Sequence, residues 1–153
     1  TVIRRAIFVA SICLAGCETP EPTPPPSVYS GPCIYERSEA TMDMLMARYT
    51  PGAAAREALS IEPGYVAPQK TIADTPVFPV AASACGLEGD CYVAYDISAD
   101  GKTENVVPSC TSRMFDREAR RVVSGFQYEP MMVDGEAVAS EGHMTKLDFR
   151  LYE

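Results

Sequence analysis

Side chains at Cys91, Val93, Tyr95 and Ile97 alternate with Tyr92, Ala94, Asp96 and Ser98, a period of two that predicts a strand over residues 91–98. Asp100-Gly101 supplies a turn, because glycine accepts the positive φ of a tight hairpin, and residues 103–109 return as a second strand. Pro108 has no N–H to give to a ladder, so it suits an edge strand or a strand end. The period then changes. Phe115, Ala119, Val122, Val123 and Phe126 recur at i, i+4, i+7, i+8 and i+11, one face of a helix that Ser112 can cap and that ends near Gly125. Asp116 and Glu118 stand in its first turns, where the helix dipole favours negative charge. Alternation resumes over residues 144–152, with Leu147, Phe149 and Leu151 directed to a core and Lys146, Asp148 and Arg150 to water.

The upstream pattern is weaker. Residues 38–60 read as helical in two pieces broken by Thr50-Pro51-Gly52, with Ser38 as the cap. Met42, Leu45, Met46 and Tyr49 form an apolar stripe that packs on the following domain or, as methionine-rich stripes do, offers a surface to a partner. Pro63, Gly64, Pro68 and Pro76 make residues 62–76 an irregular connection, and a short helix over residues 79–84 leads to Gly86 and Gly89. The elements sum to an α+β fold of two layers: a small antiparallel β-sheet, made of a β-hairpin plus a C-terminal strand, with one main helix packed on it and short helices before it.

Taken in order, several marks form a series: Phe78-Pro79, Gly86-Leu87-Glu88-Gly89, Asp100-Gly101, Phe115-Asp116-Arg117-Glu118-Ala119, Phe126-x-Tyr128-x-Pro130, Asp134-Gly135 and Leu147-Asp148-Phe149-Arg150-Leu151. Over roughly residues 74–152 the series resembles the C-terminal domain of TonB-type energy transducers. The resemblance implies a periplasmic module that binds outer-membrane proteins. It implies that the short box of a transporter adds as a strand beside the domain's last strand, here Thr145, Lys146, Leu147, Asp148, Phe149, Arg150 and Leu151. Phe78-Pro79 stands where the family has a Tyr-Pro pair that helps meet the transporter, with the hydroxyl missing here. Lys146, Asp148 and Arg150 lend selectivity, or serve only to keep an edge strand from aggregating.

The other end of the chain adds an address. Arg4 and Arg5, an apolar stretch over residues 6–14 and the tetrad Leu14-Ala15-Gly16-Cys17 read as a signal peptide of residues 1–16. The tetrad resembles the lipobox of bacterial lipoproteins, in which the cysteine, here Cys17, takes a diacylglycerol and becomes the N-terminus. The apolar run is far short of the ~20 residues that cross a bilayer. Lipid chains contribute ~0.8 kcal/mol per buried CH₂, so the expected protein is anchored to a membrane by fatty acyl chains and does not span it. Glu18 replaces the aspartate that favours inner-membrane retention in the resembling lipoproteins, which points to the outer membrane. Pro20, Pro22, Pro24, Pro25, Pro26 and Pro32 stiffen residues 18–32 into a stalk of ~45 Å reach, much shorter than the proline-rich span of the family's transducers. The chain thus divides into a signal peptide (1–16), a lipidated linker (17–37), a helical segment and connection (38–73) and the TonB-like domain (74–153).

Charge narrows the partners. The formal charge is −8, and cleavage removes two arginines, leaving eleven basic against twenty-one acidic side chains. Such a surface does not seek nucleic acid or bare anionic headgroups.

Of the six cysteines, Cys13 leaves with the signal peptide and Cys17 is lipidated, so Cys33, Cys85, Cys91 and Cys110 remain as disulfide candidates with three possible pairings. The hairpin discriminates. With Asp100 and Gly101 as the two central turn residues, opposed residues sum to 201, as 91 and 110 do; a three-residue bulged loop would shift this by one. Directly opposed, non-hydrogen-bonded partners lie ~4.5 Å apart at Cα, within disulfide range. Cys91–Cys110 is therefore preferred, and Cys33–Cys85 follows by elimination.

Chemistry beyond binding finds little support. His143 is the only histidine, no phosphate loop or dinucleotide fingerprint occurs, and the cysteines lack paired C-x-x-C spacing, so neither a metal nor a cofactor is expected. Asp96 and Asp100 are accounted for by a strand face and a turn rather than as catalytic carboxylates, and no enzyme is expected. The expected function is a periplasm-facing protein-binding domain that takes a segment of an outer-membrane transporter, or of another envelope protein, by strand addition. A lipid anchor takes up no drive from a proton-powered motor through a spanning helix, so no energy transduction is expected. The alternative is a structural envelope lipoprotein tethered to cell wall or to another subunit, with a homodimer among its forms.

Overall fold

The computed structural model describes residues 30–152; the expected signal peptide, the lipid-accepting Cys17 and the linker up to residue 29 lie outside the described residues. In chain order the elements are α1 (Met42–Leu59), β1 (Gln69–Ile72), α2 (Val80–Ala84), β2 (Gly89–Ile97), β3 (Thr103–Cys110), a 3-10 turn (Arg113–Phe115), α3 (Asp116–Ser124), β4 (Gln127–Glu129), β5 (Met131–Val133), β6 (Glu136–Val138) and β7 (Ser140–Phe149). β2 is the middle strand of an antiparallel sheet ordered β3-β2-β7. The alternation read from the sequence sets its two faces. Cys91, Val93, Tyr95 and Ile97 meet Phe115, Ala119, Val122, Val123 and Phe126 in one buried cluster. Each large side chain buried there contributes about 1.5–3 kcal/mol. The architecture is α+β, with α3 as the main helix on the antiparallel sheet.

The opposite face carries a further layer. Ala94 is fully buried there, and α1 crosses the sheet from Thr41 and Met42, which share a groove with Tyr92 and Ser109, to Gly52, which abuts Glu141 and Gly142 of β7. α1 is one continuous helix running through Pro51, not two pieces. A proline inside a helix costs about 3 kcal/mol, so the break expected at Pro51-Gly52 is overridden by packing. A Cβ added to Gly52 would lie 2.4 Å from the Glu141 oxygen, so the residue pair that reads as a breaker marks the point of closest approach. Thr41, not Ser38, caps α1, accepting from the Met44 N–H. Of the expected stripe only Leu45 is buried, while Met42 and Met46 are 37% and 42% exposed.

The hairpin reaches its register by another route than a two-residue turn. Ile97 faces Thr103, a sum of 200, and the Gly101 N–H bonds the Ser98 oxygen around a three-residue loop with Gly101 at φ +81°. That loop shifts the pairing by one. An extra residue on β3 between Glu104 and Val107, where Asn105 holds φ +51°, shifts it back, so Ala94–Val107 through Cys91–Cys110 sum to 201. Disulfides join Cys91 to Cys110 and Cys33 to Cys85, with Cα separations of 4.0 and 5.7 Å.

Smaller pairs complete the unit. β1 pairs with β4, and β5 with β6 through Asp134-Gly135, both at positive φ as a tight hairpin turn requires. Residues 38–73 therefore share contacts with the rest through α1 on β7 and β1 on β4. β7 begins earlier and ends earlier than the alternation suggests. Phe149 is buried, but Arg150 and Leu151 lie beyond the strand and Leu151 is 37% exposed, so its expected place in the core is corrected.

Candidate functional site

The phase of the backbone hydrogen bonds decides which edge of the sheet is open. The Thr111 N–H bonds the Asp90 oxygen, and Cys91 opposes Cys110 as a disulfide-linked pair. Groups alternate direction along a strand, so even-numbered residues of β2 bond toward β3 and odd-numbered ones toward β7. On β3 this turns Val106, Pro108 and Cys110 outward. On β7 it turns Met144, Lys146 and Asp148 outward.

The two edges are treated differently. On β3, the Cys110 N–H donates to Ser38 Oγ at 2.6 Å and its oxygen accepts the Ser38 N–H at 3.2 Å. Pro108 has no N–H to offer, and Arg120 Nε reaches the Val106 oxygen at 3.5 Å. A strand approaching β3 finds no free ladder. On β7, no described residue takes the outward groups of Met144, Lys146 or Asp148. At its start the same strand is closed by β2 and α1: the Gly142 N–H donates to Asp96 Oδ1 of β2, and Arg56 of α1 donates to the Glu141 oxygen. The free stretch is thus residues 144–148.

Side chains flank this edge on both faces. On the α3 face Phe149 stacks on Phe115 at 4.6 Å, and Phe78 meets both rings edge-on at 6.2 and 5.9 Å. Phe78 is consequently a half-buried packing residue, Pro79 is the cap position of α2, and their neighbours Val77 and Val80 stay 66% and 65% exposed. Thr145 and Leu147 share that face of β7, both half-buried. On the α1 face Asp148 stands opposite Asp90, two carboxylates that Lys146 and Arg150 hold together. Lys146 lies 2.6 Å from Asp148 and 3.5 Å from Asp90, and Arg150 lies 2.6 Å from Asp90 and 3.7 Å from Asp148. The Arg150 guanidinium beside Asp90 holds the Asp90 carboxyl below its usual range, and Asp148 raises the Lys146 ammonium. Arg150 also donates to the Gly89 oxygen, and the Leu151 N–H donates to Glu88. The expected contact residues are therefore gathered around one edge, but Arg150 and Leu151 fold back on β2 and extend no ladder.

Sequence reading did not single out Ser38 as the group that closes β3, nor Gly142 and Gly52 as the crossing of α1 and β7. Gly142 holds φ +68°, a conformation that marks a bulge, and a glycine inside a strand pattern was the available signal. Among the described residues no three of His, Cys, Asp or Glu are grouped to hold a metal ion, and no helix is long and apolar enough to cross a membrane.

Residues 74–151, 78 of the 153 in the chain, match the family model described as Gram-negative bacterial TonB protein C-terminal. Protein TonB of Pseudomonas aeruginosa is 40% identical over 78 residues, 50% of this chain and 22% of its own length. Protein TonB of Escherichia coli K12 is 31% identical over 65 residues, 41% of this chain and 27% of its own. The chain thus spans about a quarter of the length of the curated relatives it matches. Among solved structures, the solution NMR structure of the Pseudomonas aeruginosa TonB CTD is 32% identical, covers 56% of this chain and 88% of that one, and has a TM-score of 0.48. α1 and Cys33 lie outside the matched residues.

Proposed function

The chain belongs to the family of Gram-negative bacterial TonB protein C-terminal domains, and on that premise we propose that it is a protein-binding module of the cell envelope, related to TonB-dependent transport, which takes an extended segment of an outer-membrane protein onto the free edge of β7. The observation that carries this reading is the asymmetry of the sheet. Ser38, Pro108 and Arg120 close β3, while the outward N–H and C=O groups of residues 144–148 on β7 are left to a partner. An added strand gains its affinity from these backbone groups, and side-chain pockets beside the edge give selectivity. Phe78, Pro79, Val77 and Val80 form an apolar flank at the Phe149 end, and Lys146, Asp148 and Arg150 a charged one on the other face.

In this reading Cys17 carries the lipid and the proline stalk sets the reach, so the domain faces the periplasm from a membrane, the outer membrane by the identity of residue 18. A lipid at Cys17 takes up no drive from an inner-membrane motor through a spanning helix. The module therefore binds without itself transducing energy.

Proline at Asp148 tests the edge. The Asp148 N–H points outward, so Asp148→Pro removes a group that an added strand needs while sparing the β2–β7 ladder. A photo-crosslinker in place of Lys146 is expected to capture an outer-membrane protein in cells, and Asp148→Pro to abolish the adduct at unchanged melting temperature. Capture that survives the proline in a folded protein would rule out the edge as the site. Adducts only with cell-wall fragments or with a second copy of the chain would favour the structural tether.

A further inference from the structure

The open stretch of β7 ends beneath α1. The helix starts over the hairpin, reaches β7 at Gly52, and continues for seven more residues to Leu59, ~10 Å at 1.5 Å per residue. No strand lies beyond β7 in the sheet order, so this last part of α1 overhangs the outer side of the strand. Between the overhang and the start of β7 lies a cavity of ≈ 280 Å³, lined by Pro51, Ala55, Leu59, Met131 and Ala139 together with Arg56 and Glu141. Of its two charged residues Arg56 is already committed, because its guanidinium is held by the Glu141 backbone oxygen and lies 6.0 Å over the Tyr49 ring. What remains for a ligand to meet is mostly apolar.

We propose that this cavity is the specificity pocket of the β7 edge, and that it receives one apolar side chain, the size of leucine or phenylalanine, from the segment that adds to residues 144–148. The inference rests on the strand-addition reading given above. Three observations commit the occupant. The edge accepts only extended backbone with free N–H and C=O groups, which makes the partner a peptide segment. The pocket shares Ser140 and Glu141 with β7 itself, so it continues the edge. From Met144 to Glu141 is three residues, at most ~10 Å even with the bulge at Gly142 between them, so a segment paired along the free stretch reaches the pocket within a few residues. The volume suits the role, since a cavity of about 150 Å³ already holds a benzene ring. All of α1 lies outside residues 74–151, so one wall of this pocket comes from the part of the chain that the family match does not include, and the other, with Met131, Ala139, Ser140 and Glu141, from within it.

The test is panning of a random displayed-peptide library on the intact protein, followed by a thermodynamic cycle on the synthetic consensus peptide. The expected consensus is a strand-forming stretch with one leucine, phenylalanine or methionine at a fixed offset. Ala55 is exposed, so Ala55→Arg fills the pocket without touching the core. Replacing the apolar anchor by alanine should weaken binding at least tenfold to the wild type and hardly at all to Ala55→Arg. Loss of binding to Asp148→Pro with an unchanged anchor effect in Ala55→Arg overturns the pocket and leaves the edge. Binding that is indifferent to Asp148→Pro, or a library that yields no binder, overturns both.

Discussion

The carboxylate of Asp96 accepts the Gly142 N–H at 3.0 Å, and this one contact ties together the two irregular points of the sheet. The two ladders slip by one residue at neighbouring points, β2–β3 between Ala94 and Asp96 and β2–β7 between Tyr95 and Ile97: β3 carries an extra residue beside Asn105, and β7 carries one beside Gly142. The second Asp96 oxygen accepts from Asn105 Nδ2 at 2.9 Å and from Arg48 of α1 at 2.5 Å. Burial works to raise this carboxyl, and the bonds from Gly142, Asn105 and Arg48 together hold it below the usual range. Asp96→Ala leaves all three donors without an acceptor and should cost about 2–3 kcal/mol, read as a lower urea midpoint. Asp96→Asn keeps an acceptor for Gly142 and should lose less.

Acid should destabilise the protein in a window set by one residue. His143 stacks on Tyr95 at 5.7 Å, its Nε2 lies 2.8 Å from Ser140 Oγ, and burial, aided by Arg56, lowers its pKa from 6.5 to about 4. The folded value lies below the unfolded one, so the unfolded state binds more protons between them. Stability is then full above about pH 6.5 and falls as pH drops toward 4. His143 is the only histidine, so His143→Gln should flatten the melting temperature over that window. A slope that persists in the variant would assign it to other groups.

Packing of α1 on β7 depends on the absence of one methyl group. Gly52→Ala brings a Cβ to 2.4 Å from the Glu141 oxygen and 2.8 Å from the Gly142 nitrogen, both backbone atoms. Neither can swing aside. The expected loss is about 1–3 kcal/mol, as for other overpacked sites, with faster amide exchange at Gly142 as its local signature. Loss of stability without that faster exchange would place the strain elsewhere.

Local patterning made the hairpin and α3 legible, because Cys91, Val93, Tyr95 and Ile97 at period two, and Phe115 to Phe126 at helical spacing, are buried as their alternation implies. Long-range compensation was not legible. The turn is one residue longer than Asp100-Gly101 suggests, and only the bulge at Asn105, a non-glycine at φ +51°, restores the register of Cys91 and Cys110. The break read at Pro51-Gly52 failed for the same reason. A local rule marks these residues as helix breakers, while the contact that makes them useful lies some ninety residues away at Glu141 and Gly142. Ser38 was read as a helix cap because caps are local, yet its hydroxyl closes β3 at Cys110 and bonds Asp116. The candidate edge shared this limit: its strand was visible, but its openness depends on what covers the other edge.

The two disulfides should separate cleanly under reduction. Cys91 and Cys110 are 0% and 3% exposed inside the core between the sheet and α3, whereas Cys33 is exposed on the segment that leads into α1. A reductant attacks the sulfur it can reach, so mild reduction of the folded protein should open Cys33–Cys85 alone, and alkylation should yield a species with two labels. The chain-entropy model assigns about 4 kcal/mol to closing the longer loop, with its separation of 52, and about 3 kcal/mol to the shorter, with its separation of 19. The two-label species should therefore melt lower while keeping the ladder of β2, β3 and β7. Ser38 and Glu36 follow Cys33 and bond Cys110 and Arg113, so the amide of Cys110 should exchange faster once the staple opens. Simultaneous appearance of four labels would mean that the bonds open only by global unfolding, and that the N-terminal segment is no looser than the core.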